Sequence, residues 1–136
     1  MSRLRLEVPF SPKTALLLSA AYAALTAADI ASTLLLINRG AVELNPCTRA
    51  LLSLGPAAPL VWFARDMAIF AAIMGLVVAA HNAVKALARR APRFAAGYFR
   101  LLEKAWLLLL GEAVALRAIP LLHNVYFAAT GRLLIP

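Results

Sequence analysis

Ionisable side chains are scarce in this chain, and those inside its apolar runs are the ones that could do chemistry. Asp29, Arg65, Asp66, Glu112, Arg117 and His123 all sit among Ala, Leu, Val and Ile. A charge at mid-membrane costs on the order of 2.5 to 3.5 kcal/mol, so each is expected to face protein or water. Carboxylates beside guanidiniums can fix helix register as ion pairs. They can also bind a polar headgroup or ion, or supply a general base while the arginines hold an anionic group.

Spacing sorts these residues by face. Tyr22, Thr26, Asp29 and Thr33 follow one another at intervals of four, three and four, which makes one polar stripe on a helix, with Ser32 beside it. Arg117 and Asn124 are seven apart and share a face, whereas Glu112 and His123 share a neighbouring one. Arg65 and Asp66 are adjacent, about 100° apart on a helix, so at most one points straight at a bundle axis. Asp29 is expected to pair with Arg117 or Arg65, with Asp66 taking the other arginine. Glu43 and Asn45 would lie above them as a lid.

The elements that must carry these groups are helices. The chain has 136 residues, 63% hydrophobic and 15% charged, with a mean hydropathy of +0.82; soluble proteins carry about a quarter charged residues. One domain over residues 1–136 is expected, an all-α integral membrane bundle of three transmembrane helices. The spans are 14–38, 57–80 and 105–129, each long enough at about 1.5 Å per residue for a core of about 30 Å. Asn38 and Gly40 end the first span. Asn45 before Pro46 caps a short interfacial or re-entrant helix over 46–54, stopped by Gly55 and Pro56. Pro120 should kink the third span. The first run is too long for a secretory signal and is retained.

The formal charge of +8 is better explained by membrane lipids than by nucleic acid, because the basic residues gather at the ends of apolar runs without an aromatic-basic groove. The N-terminus (Arg3, Arg5, Lys13) and the segment 81–104 carry nine Lys and Arg, against three for the first loop and tail (Arg39, Arg49, Arg132). A multi-pass protein of the cell membrane with its N-terminus cytoplasmic and C-terminus outside follows. Lys85, Arg89, Arg90 and Arg93 are the lipid-headgroup candidates, with His81 at the same level. Trp62 and Trp106 read as interfacial belt anchors, and Cys47 as a small packing residue. Glu112 is expected to pair with Lys104 or His123.

No GxSxG, HExxH, Walker-type or GxGxxG pattern is present, so neither a cofactor nor a metal is called for, and no catalytic residue is assigned. The polar-site candidates are Asp29, Thr33, Glu43, Asn45, Arg65, Asp66, Arg117, His123 and Asn124.

Asp29-x-x-Ser32-Thr33 followed by Gly40-x-x-Glu43-x-Asn45-Pro46 resembles a family of small prokaryotic polytopic membrane proteins defined only as a domain of unknown function. The resemblance covers about a seventh of the chain closely. It implies that Asp29, Glu43, Asn45 and Pro46 are the family's marked positions, and it implies no activity.

Taken together, the residues favour a non-enzymatic subunit or homo-oligomeric module, with a polar lipid-, ion- or partner-binding site in the outer half of the bilayer. A small membrane enzyme or transporter acting on a lipid-like or anionic substrate at the same site is the alternative. The plainest account of the charges is helix register, with a binding pocket next and catalysis last.

Overall fold

The computed structural model describes residues 7–90 and 96–131, with the side chains of residues 96, 99, 100, 103 and 104 also outside the description. The described residues are all-helical: α1 (Pro12–Asn38), α2 (Pro46–Leu52), a 3-10 turn (Gly55–Ala57), α3 (Ala58–Ala88), α4 (Ala96–Leu116) and α5 (Ala118–Thr130). Three stretches are long and apolar enough to cross a membrane: Pro12–Asn38, Gly55–Ala88 and Ala105–Thr130. Within their most apolar windows only 28%, 17% and 6% of residues are covered by the protein itself. Leu16, Leu60, Leu76 and Leu108 are among the side chains left bare. Such uncovered apolar surface is compatible with a multi-pass membrane protein, in which hydrocarbon covers it.

Local chemistry sets the helix ends. Ser11 accepts from the Thr14 amide at 3.1 Å and Pro12 occupies the first turn of α1, where its missing N–H costs nothing. At the other end Gly40 has φ +92°, a conformation that costs glycine little. It lets the Ala41 amide reach the Leu36 carbonyl at 3.0 Å and the Gly40 amide reach that of Ile37 at 2.9 Å. This paired termination reverses the chain. Asn45 then caps α2 through the Cys47 amide at 2.9 Å. α2 stops at Leu52, two residues short of the expected end, because Ser53 caps it and Gly55 turns the chain with φ +62°.

The core is narrow. α1 turns Tyr22, Thr26, Asp29, Ile30 and Thr33 inward, so the polar stripe is its buried face. α3 answers with Ala58, Trp62, Asp66 and Phe70 at intervals of four, then Val77 and His81. Tyr22 stacks on Phe70 with ring centroids 4.3 Å apart and planes at 15°. α4 seals the middle with Leu110, wholly buried.

The third span is interrupted at Arg117, between α4 and α5. Pro120 explains the position of the break, because a proline ring clashes with the carbonyl four residues back, here Leu116. Pro120 itself falls in the first turn of α5, where no N–H is required. The Arg117 amide takes the Val114 carbonyl at 3.2 Å instead.

Several sequence expectations change. Trp62 is a core residue at 4% exposure, not a belt anchor, because the α3 stripe that carries Asp66 and Phe70 inward carries it too. His81 is buried at 6% exposure rather than at headgroup level, since it continues that stripe. Cys47 is exposed and does not pack. Glu112 is exposed and pairs with no described residue, His123 included; the side chain of Lys104 lies outside the described residues.

The basic segment has a partner that its own composition hides. Glu7 forms an ion pair with Lys85 and lies 3.8 Å from Arg89. The Glu7 amide donates to Asn82 Oδ1 at 2.9 Å, and Asn82 Nδ2 returns a bond to the Glu7 carbonyl at 2.8 Å. Arg90 remains exposed; Arg3, Arg5, Arg93 and Arg132 lie outside the described residues. The Lys85 ammonium holds the Glu7 carboxyl below the usual carboxylate range. A lowered acid contributes to the folded state fully above the unfolded-chain value, about pH 4.3, and loses that contribution as the pH falls through its lowered one. Hydrogen exchange at the Glu7 amide, corrected for its intrinsic pH dependence, should therefore lose protection on acidification in the wild type and be low and flat in Glu7→Gln. A flat, protected wild-type profile would refute a contribution of the Glu7–Lys85 pair to holding this segment.

Candidate polar chamber between α1, α3 and α5

Four charged side chains from three helices meet in one layer. The break at Arg117 aims its guanidinium at the stripe of α1. Arg117 Nη2 lies 3.1 Å from Asp29 Oδ2 and 2.6 Å from Asp66 Oδ2, and Arg117 Nε donates to Thr26 Oγ1 at 3.1 Å. Nη2 sits between the two carboxylates without a well-aligned hydrogen bond to either, so charge rather than direction holds it there. Asp66 Oδ1 takes both Nε and Nη2 of Arg65, at 2.9 and 2.7 Å.

Arg117 serves both carboxylates, where a separate arginine for each was expected, and Arg65 pairs with its own chain neighbour. The two arginines differ in what they are worth. Arg117, Asp29 and Asp66 have side chains 14%, 4% and 5% exposed, whereas Arg65 is 40% exposed. A partly solvated pair contributes little, while removing one partner of a buried pair strands a charge.

Asn124, two turns along from Arg117 on α5, closes the layer. Its Nδ2 donates to Asp29 Oδ1 at 3.1 Å, Ser32 Oγ at 2.9 Å and Thr33 Oγ1 at 2.9 Å. Two protons shared among three acceptors hold α5 against the end of α1. Ser32 passes the chain on by donating to the Asp29 carbonyl at 2.9 Å, a role that its position beside the stripe only hinted at. Thr26 was visible in the stripe, but only the fold shows it to be a ligand of Arg117.

The Glu-x-Asn-Pro turn roofs this layer. Glu43 Oε1 accepts from the Asn45 amide at 2.7 Å, and Asn45 in turn caps α2, so the first half of the motif holds the second in the shape that starts the helix. Below the roof is a chamber of about 460 Å³ whose wall includes Asp29, Glu43, Asn45, Trp62, Arg65 and Arg117. Thr33, His123 and Asn124 also line it, so of the sequence candidates only Asp66 stands behind the wall. A second cleft of about 340 Å³ adjoins it, with Leu36, Ile37, Ala41, Val42 and Phe127 as its apolar side. Thr33, Glu43, Leu44, His123 and Asn124 belong to both. Among the described residues no cluster of His, Cys, Asp and Glu has the arrangement of a metal site.

Arg117→Gln should cost about 3–5 kcal/mol, because it leaves Asp29 and Asp66 buried and facing each other. Arg65→Gln, by contrast, should cost at most about 1 kcal/mol. Reversible unfolding in mixed micelles measures both, and equal losses would contradict the assignment. Asn124→Leu, similar in size but unable to donate, should cost about 1–3 kcal/mol by leaving the Asp29 oxygen without its partner.

No protein family, curated protein or solved structure matches this chain, so what it does has to be read from these residues.

Proposed function

We propose that this is an integral membrane module that binds an amphiphile, with the polar head in the chamber and the chain in the adjoining cleft. The observation that carries the reading is the shared wall. A polar cavity and an apolar one share Thr33, Glu43, Leu44, His123 and Asn124 as lining. Ligand sites commonly enclose about 300–1,000 Å³ and set a few polar groups in an apolar lining; both cavities fall in that range. The Lys and Arg distribution favours an outer-leaflet position for the chamber, which a lipid-like molecule would enter sideways from its own leaflet. The motif resemblance points to the same wall, since Asp29, Glu43 and Asn45 all line it.

An enzyme acting on the same amphiphile is the second reading. In its favour, Glu43 and His123 stand on the shared wall and neither forms an ion pair with a described residue. One could take a proton while the other gives it. Binding without turnover remains the primary reading, because Asp29, the buried carboxylate of the wall, has both oxygens engaged, by Asn124 and by Arg117.

Native mass spectrometry of the protein released from mild detergent tests this. The wild type should retain a co-purified amphiphile, and its mass also gives the number of copies in the assembly. Ala41→Phe, which fills the apolar cleft, should lower retention at least about fivefold without lowering the melting temperature. An empty wild-type protein would sink the reading. Chemical change of the retained molecule during incubation, lost in both Glu43→Gln and His123→Asn, would decide for the enzyme.

A further inference from the structure

The hydrogen-bonding groups in the chamber are not all spent, and those left over are of two kinds, one carboxylate acceptor and two guanidinium N–H edges. Asp29 uses Oδ1 on Asn124 and Oδ2 on Arg117. Asp66 uses Oδ1 on Arg65 and Oδ2 on Arg117. Two carboxylates and two guanidiniums thus balance internally. Glu43 remains as a carboxylate with Oε1 on a backbone amide and Oε2 without a partner among the described residues. On the positive side, Arg65 binds through Nε and Nη2 and Arg117 through Nε and Nη2, so Nη1 of each has no partner among the described residues. All three of these residues line the one chamber.

We infer that the head of the bound amphiphile is zwitterionic, a protonated primary amine joined to a phosphate, as in a phosphoethanolamine lipid. The deduction rests on the amphiphile-binding reading and adds the chemistry of the head. The ammonium meets Glu43 Oε2, which needs a donor. The phosphate meets the free guanidinium nitrogens of Arg65 and Arg117, whose planar N–H groups suit phosphate oxygens. A purely anionic head would satisfy the arginines and leave Glu43 facing an extra negative charge. A quaternary ammonium has no N–H to give Glu43, and it is normally held by a cage of aromatic rings. Here Trp62 is the one aromatic residue lining the chamber.

The test titrates delipidated full-length protein in detergent with phosphatidylethanolamine, phosphatidylcholine and phosphatidylglycerol of matched chains, reading bound lipid by native mass spectrometry. Phosphatidylethanolamine should be retained at least about tenfold over either of the others, the factor that one charge-assisted hydrogen bond supplies. Glu43→Gln keeps the oxygen that accepts from Asn45 and should abolish the preference over phosphatidylcholine while keeping the wild-type melting temperature. Soluble phosphoethanolamine should fail to displace the lipid at equal concentration; displacement would make a free phosphoamine, not a lipid, the ligand and overturn the proposal. Equal retention of all three lipids, or preference for phosphatidylglycerol, would overturn the head assignment and leave amphiphile binding standing. Retention of none would overturn both. The wild-type comparison decides the matter even if the variant fails to fold.

Discussion

The bundle depends on one guanidinium held between two carboxylates in a place with little water. Arg117 touches Asp29 of α1 and Asp66 of α3, so it ties all three spans at one level. Leu or Ala could pack there without fixing the rotation of a helix. An ion pair cannot be shifted by one residue without burying an unpaired charge, so it specifies register as well as holding it. The remaining contacts follow. Tyr22, two turns from Asp29, stacks on Phe70, one turn from Asp66, and Asn124 can reach Asp29, Ser32 and Thr33 only in this register.

This constraint has a cost in regularity that the chain meets with Pro120. A continuous helix through the third span would give Arg117 an ordinary place in the spiral. The break frees its backbone from one regular hydrogen bond and re-aims the residues on either side. Register and site are therefore one construction: the charges that hold the helices together also form the floor of the chamber, and the Glu43 turn forms its roof. Glu43 stands apart from the ion-pair network: its Oε1 holds the Asn45 amide, and the side chain lines the chamber.

The two ends of the bundle are fastened differently. At the chamber end the Arg117 contacts are short and largely buried. At the other, Glu7 bonds to Asn82 and Lys85 in a half-exposed setting, where water and salt weaken the charge. The chamber lies at the buried end, and the half-exposed end carries Lys85, Arg89 and Arg90.

Composition and periodicity were enough to determine three apolar helices, the short helix after Asn45, and the inward face of α1, because these depend on local spacing and on the cost of exposing polar groups to hydrocarbon. That Asp29 and Asp66 would each find an arginine was also legible, since an unpaired charge in hydrocarbon is costly. Partner choice was not: either arginine could serve either aspartate, and only the rotation of each helix and the break before Pro120 decide that Arg117 takes both. For the same reason Trp62 and His81 were read at the membrane surface when the α3 face buries them. Glu7 lies 75 residues from Asn82, a distance over which no local pattern carries information. The chamber itself belongs wholly to the tertiary structure, because a cavity is what packing leaves unfilled, and no residue in the sequence marks the space beside it.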